Sequence, residues 1–447
     1  MEVVRDAEPS KLAEETELRA EIDRFVQPVL DHGIAIGLCI GLVHKEKTRV
    51  FGYGRLSAAQ ADAPDADTLY EIGSITKAFT GILLADKVLR KQMSLDDPVS
   101  RYLPAAVKMP QFEDTPITLL DLATHRSGLP RMPDNFQPRD PENPYVDYTY
   151  HKLYAFLSGH QLARKPGEKY EYSNLGMGLM GAVLARHSGC SYESLLKRRI
   201  LDPLGMQSTL IRFTPEARAH LAPGHDVDGN PVANWDLGAL QGGGAIRSTV
   251  RDMLRFLQAN LRQWKTPLYP ALLLAQKSQN ITQEGGDLVG LGWHIQPEGN
   301  VWHNGGTAGY RTMCAFNPEK GNGVVVLCNA FAHSVDAIGF GLLKLLDGNA
   351  PDPLPLQIAV PIDPAVFDNY VGAYAFDEKA VLTVTRDGDR LMAQLTDQRA
   401  YRLHPSSETE FFYRVADAQI TFCKNDQGAV EKLILHQNGQ DQPAKKT

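Results

Sequence analysis

The segment Glu71-Ile72-Gly73-Ser74-Ile75-Thr76-Lys77 stands directly before the apolar run AFTGILLADKVL, whose spacing predicts a helix. Ser74 then lies near a helix N-terminus with Lys77 one turn on, and residues three apart share a helix face. A serine hydroxyl is a poor nucleophile until a base takes its proton. A lysine can be that base when desolvation or a cationic neighbour lowers its own pKa. The N–H groups at a helix start also favour a developing oxyanion. Taken alone, the same segment is better described as a serine N-cap followed by a solvated lysine.

A second group is Tyr170-Glu171-Tyr172-Ser173-Asn174, which follows the turn Pro166-Gly167 and leads into LGMGLMGAVLA. A tyrosine beside a lysine can shuttle a proton, and an asparagine can orient a substrate amide. The plainer alternative is a loop tyrosine with an asparagine that caps the next helix. The third group is Trp302-His303-Asn304-Gly305-Gly306-Thr307-Ala308-Gly309, just before TMCAFNP. Glycines let backbone pass close to a ligand, and an edge strand here offers an N–H as a second oxyanion donor. A glycine-rich hairpin with a structural His303 is the competing description.

These residues need a frame. Apolar positions Leu12, Leu18, Ile22, Phe25, Val26 and Val29 predict an opening helix over 10–30, and GIAIGLCIGLVHKEKTRVFGYG predicts two strands around a charged turn. From Ser74 to about residue 260 the patterns are mainly helical, with a long punctuated loop over 130–150. Strand character returns in VGLGWHIQP, TMCAFNP and NGVVVLCNA, and 334–346 predicts a closing apolar helix. The expected fold class is α+β: an antiparallel sheet flanked by helices plus a mainly helical lobe, with a small all-β unit appended. The domains expected are 1–350, a Pro-rich linker over 351–365, and an accessory barrel or sandwich over 366–447 built from AVLTVT, RLMAQLT, EFFYRV, AQITFCK and KLILHQ. The aromatic stretch 136–156 packs its own loop or borders a ligand.

Composition narrows the functions. A net charge of -7 with dispersed Lys and Arg leaves no basic footprint for nucleic acid. No apolar run reaches the roughly 18 residues of a membrane span, and MEVVRDAEPSKLAEE lacks the apolar region of a secretory signal. The compartment stays open, because a signal peptide can already have been removed. The five cysteines are scattered without a C-x-x-C pair, so neither a zinc site nor a disulfide framework is expected. H-E-x-x-H, Walker and G-x-S-x-G patterns are absent from the sequence, so no metal or cofactor is expected.

Taken together, S-x-x-K, Y-x-N and a basic residue-x-Gly, about 100 and 130 residues apart, resemble the three motifs of class C β-lactamases and the related DD-peptidases and esterases. The segments His125-Arg126-Ser127-Gly128-Leu129-Pro130, Leu201-Asp202-Pro203-Leu204-Gly205-Met206 and Gly242-Gly243-Gly244-Ala245-Ile246-Arg247-Ser248-Thr249 are similar to stretches of that superfamily, and the resemblance covers about residues 15–350. It implies that Ser74 forms an acyl-enzyme while Lys77 and Tyr172 share the proton traffic. It also implies that Asn174 holds the substrate amide, and that the N–H groups of Ser74 and Gly306 form the oxyanion hole. His303, Asn304 and Gly305 then border the substrate, His303 where class C β-lactamases have lysine and Asn304 where they have threonine.

Histidine is charged only below about pH 6.5, and no arginine occurs in NAFAHSVDAIGF where such enzymes carry one for carboxylates. Arg247 or Arg311 is the candidate substitute. The expected function is β-lactam hydrolysis, with a carboxylesterase or a DD-peptidase/D-aminopeptidase as alternatives, and a penicillin-binding sensor that acylates without turnover as the reading from another class. The expected partner is a small-molecule or peptide substrate; a homo-oligomer is left open. The last 80 residues resemble a β-domain often appended to such hydrolases, closing on Ile434-Leu435-His436-Gln437-Asn438-Gly439.

Overall fold

A computed structural model describes residues 9–283, 285–437 and 439–447. The start of the chain, residues 1–8, and Asn438 of the closing strand pattern lie outside them, as does the side chain of Leu12. The chain divides into two compact units, Met1–Leu30 with Ala35–Leu354 and Asp31–Ile34 with Pro355–Thr447.

The larger unit is built on a seven-stranded antiparallel sheet. Its strands are β1 (Gly37–His44), β2 (Lys47–Gly54), β3 (Leu288–Val289), β4 (His294–Ile295), β5 (Val301–Thr307), β6 (Tyr310–Asn317) and β7 (Asn322–Cys328), ordered β2-β1-β7-β6-β5-β4-β3. The helix expected over 10–30 is α1 (Pro9–Asp31). The charged turn between β1 and β2 is the two-residue Lys45-Glu46, both with positive φ, the twist that suits a tight hairpin. Strands β1 and β7 are buried almost end to end, because helices cover both faces of the sheet. This is why they read as continuous apolar runs rather than as alternation.

Three helices matter most to the site: α2 (Thr76–Leu89), α3 (Asn174–His187) and α4 (Val250–Asn260). Residues 76–87 of α2 are all buried, so α2 runs through the middle of the unit rather than along its surface. The Phe79 and Phe256 rings stack with centroids 4.1 Å apart and lock α2 to α4. The closing helix α5 (Ser334–Leu346) packs on β6 and β7 with the boundaries expected from its apolar pattern.

The smaller unit is a closed eight-stranded antiparallel barrel running from Gly372 to Lys446. Tyr370, Tyr374, Phe411 and Phe422 fill its interior, with the Tyr370 and Phe422 rings stacked at 4.3 Å. A barrel of this strand number is just wide enough for side chains to close it. Three of its strands, Gly372–Ala375, Tyr401–Pro405 and Gln440–Lys446, escape the strand patterns read in the sequence. The last has the sequence QDQPAKK with only Ala444 buried, so it shows no apolar alternation to read.

Candidate active site

Ser74 sits in a 3₁₀ turn, Gly73–Ile75, between the short strand Leu69–Glu71 and α2. Within residues 68–87 it is the one residue that is not buried. Gly73 takes φ of 50°, and a Cβ there would lie 2.7 Å from the amide nitrogen of Gly306. Only glycine allows the turn to press so closely on β5. Gly305 makes the matching approach from β5: its Cβ would be 2.0 Å from the Ile72 carbonyl oxygen. The Thr312 hydroxyl, next to it on β6, donates to that same oxygen at 3.0 Å.

Lys77 Nζ is within 2.8 Å of Ser74 Oγ, 2.9 Å of Asn174 Oδ1 and 2.7 Å of the Gly243 carbonyl oxygen. Its side chain is fully buried, and burial, reinforced by the positive charge of Arg131, holds its pKa well below the ordinary lysine value. Asn174 Oδ1 and Gly243 O have no proton to give, so when the amine is neutral they take its two N–H groups. The lone pair is then left for the Ser74 hydroxyl. Such a group can act as a general base.

The Tyr172 ring lies 4.8 Å from Lys77 Nζ, and the Ser74 side chain is near enough to oppose the burial-driven rise of the phenol's pKa. Burial pushes the phenol up to about 12, so it stays protonated at neutral pH and can relay a proton rather than begin as phenolate. The loop that carries it is fixed by His125, whose φ is 59°. His125 Nδ1 accepts the Ser173 N–H at 3.1 Å, its carbonyl accepts the Glu171 N–H at 2.7 Å, and its ring lies 4.5 Å from that of Tyr172. Ser173, not Asn174, caps α3, with Oγ accepting the Gly176 N–H at 2.9 Å, which leaves the Asn174 side chain to face Lys77.

On β5, burial alternates along Val301–Thr307. His303 is buried, with Nδ1 2.6 Å from the Asn304 carbonyl oxygen and Nε2 without a protein partner among the described residues. Burial first, then the nearby His294 and Lys77, hold its pKa well below 6.5, so it is neutral where the resembling enzymes carry a cation. Asn304 takes the alternate face and donates to Asp336 Oδ2 at 2.7 Å, a carboxylate that also binds Arg311. β4 pairs with β5 only at Val301 and Trp302, so among the described residues no strand continues the sheet along that edge beyond Trp302, where Asn304 and Gly306 are the half-buried positions.

Ser74, Asn174, Gly243, Gly306 and Thr307 line a cavity of about 40 Å³, walled by Tyr145 and Trp235. Tyr145 is thus the residue of the aromatic loop that reaches the site, while Tyr148 is buried in the core. A roomier cavity of about 510 Å³, bordered by Leu69, Met206 and Leu210, contains none of Ser74, Lys77, Tyr172, Asn174 and His303. The convergence of polar groups, not volume, therefore points to the chemistry. Sequence reasoning did not single out His125, the Gly243 carbonyl or the pairing of Arg247 with buried Glu71, at an Oε1–Nη2 distance of 3.0 Å. Their signal was present in HRSGLP and GGGAIRST, where the residues are quoted but their partners are far along the chain.

Residues 22–344 match the family model described as Beta-lactamase. The chain belongs to the β-lactamase family. Residues 356–446 match a model described as a domain of unknown function, DUF3471. Among curated relatives, the chain is 29% identical over 358 residues to the D-alanyl-D-alanine-carboxypeptidase/endopeptidase AmpH of Escherichia coli strain K12, covering 75% of this chain and 91% of that protein. It is 27% identical over 446 residues to Penicillin-binding protein 4* of Bacillus subtilis strain 168, covering 89% and 91%. Among solved structures it is similar to a Beta-lactamase/D-alanine Carboxypeptidase from Yersinia pestis, with a TM-score of 0.66, 26% identity and coverage of 74% and 98%. It is thus a hydrolase of the serine β-lactamase and DD-carboxypeptidase superfamily, with the α+β class expected and a barrel as its accessory unit. Among the described residues, no helix is long and apolar enough to cross a membrane.

Proposed function

We propose that this family member hydrolyses the amide of a β-lactam through an acyl-enzyme on Ser74. The observation that carries this reading is the buried Lys77 amine 2.8 Å from Ser74 Oγ, with its two other contacts made to pure acceptors. In acylation Lys77 takes the Ser74 proton as Oγ bonds to the carbonyl carbon, and the N–H groups of Ser74 and Gly306 receive the oxyanion. The C–N bond then breaks, and the proton held by Lys77 passes through Tyr172 to the leaving nitrogen. Water adds to the acyl carbon with its proton going to the same base; the C–Oγ bond then breaks as Lys77 returns that proton to Oγ, which releases the acid and restores Ser74.

A second reading, hydrolysis of D-alanyl peptides by the same steps, is favoured by the neutral His303 and by the names of the AmpH and Yersinia pestis relatives. The test is a time course of intact protein mass after penicillin is added, with released drug followed by chromatography and Ser74→Ala as control. An adduct that appears and clears as hydrolysed drug accumulates supports β-lactamase turnover. An adduct that persists, together with cleavage of a D-alanyl-D-alanine peptide, supports the peptidase. Turnover surviving in Ser74→Ala refutes both.

A further inference from the structure

A carboxylate-bearing substrate needs a cation at the site, and His303 is neutral. The two arginines that sequence reasoning offered as substitutes are both engaged. Arg247 is 1% exposed and pairs with Glu71, while it also donates to the Trp235 carbonyl at 2.6 Å. Arg311 binds Asp336 through two nitrogens, so its charge is matched by a carboxylate that also takes the Asn304 amide.

Arg131 differs from both. It is exposed, and its guanidinium carbon lies 5.2 Å from the centre of the Tyr172 ring. Among the described residues no carboxylate forms an ion pair with it; the neighbouring ion pairs along the chain belong to Arg101 and Arg139. Its backbone is tied to the site, since the Arg131 carbonyl accepts the N–H groups of Asn174 at 3.1 Å and Leu175 at 3.2 Å. The tyrosine face steadies the guanidinium at the rim beside Asn174 and leaves its N–H edge free, and a planar fork of donors matches a carboxylate bidentately. The charge reaches the reacting groups as well: it pulls down the pKa of Lys77 and opposes the rise at Tyr172.

We propose that Arg131 is the specificity-determining cation of this site, binding a carboxylate on the acyl portion of the substrate next to the amide that Asn174 holds. The proposal rests on the Ser74 acyl-enzyme reading. Its test compares p-nitrophenyl hemiadipate with p-nitrophenyl hexanoate, esters of equal acyl length that differ by a terminal carboxylate, in the full chain and in Arg131→Gln and Arg131→Lys. The readout is the ratio of kcat/KM for the acidic ester to that for the neutral one. The expected result is a ratio lowered at least about tenfold in Arg131→Gln, restored in large part in Arg131→Lys, and reduced in the parent protein by added salt. A ratio unchanged in Arg131→Gln, with both esters falling together or neither falling, overturns the proposal while Ser74-dependent turnover stands. Absence of Ser74-dependent turnover of either ester overturns the acyl-enzyme reading along with it.

Discussion

Replacing Gly305 with alanine adds one methyl group at the seam between β5 and the Ser74 turn. That Cβ would fall 2.0 Å from the Ile72 carbonyl oxygen and 2.5 Å from Thr312 Oγ1, where ordinary contact begins at 3.4 Å. The hydroxyl can rotate away but the carbonyl is backbone, so β5 must retreat from Ile72 by about 1.4 Å. Gly306 moves with it, and its N–H withdraws from the position the proposed mechanism gives it beside the Ser74 N–H as an oxyanion donor. Loss of one oxyanion donor lowers kcat by about 10²–10³, and the overpacking itself costs about 1–3 kcal/mol. Gly306→Ala is the matched control: its Cβ meets the Phe331 ring at 3.0 Å and the Arg311 side chain at 3.5 Å, both side chains that can give way. The assay is kcat on a chromogenic β-lactam or ester, with thermal unfolding of each variant. If Gly305→Ala keeps kcat within about threefold of the parent while folded, or falls no further than Gly306→Ala, the packing argument and the oxyanion assignment of Gly306 are refuted.

Two further outcomes follow from the buried groups. Because burial depresses the Lys77 pKa, the limb on which kcat/KM falls as Lys77 gains a proton should lie well to the acid side of an ordinary lysine's, while Tyr172, at about 12, adds no limb at neutral pH. Lys77→Arg, permanently protonated, should lose about 10²–10⁴ in kcat/KM, and a pH–rate profile in that variant matching the parent's would rule Lys77 out as the base. Glu71→Ala leaves the Arg247 guanidinium buried without its main carboxylate and should lower unfolding free energy by about 3–5 kcal/mol in urea; a loss below about 1 kcal/mol would mean that Asp236 and the Trp235 carbonyl suffice to hold it.

Much of the candidate site's arrangement was legible in the sequence because its signals are local. Ser74 and Lys77 share one helical turn, Tyr172 and Asn174 flank a helix cap, and Gly305-Gly306 marks a close backbone approach; each is a short-range pattern with one physical meaning. The closing helix Ser334–Leu346 and the β1–β2 hairpin were equally readable, since apolar spacing and a charged two-residue turn specify them without outside help. What only the tertiary structure decided is pairing across long separations. The third acceptor for Lys77 comes from Gly243, 166 residues away, and the fixed cation expected at Arg247 or Arg311 is in each case cancelled by a carboxylate brought from elsewhere, which leaves the unremarked Arg131 exposed. Charge state and availability depend on burial and on distant partners, and neither is written in the spacing of neighbouring residues. The polar strand Gln440–Lys446 makes the same point: closure of the barrel, not its own pattern, makes it a strand.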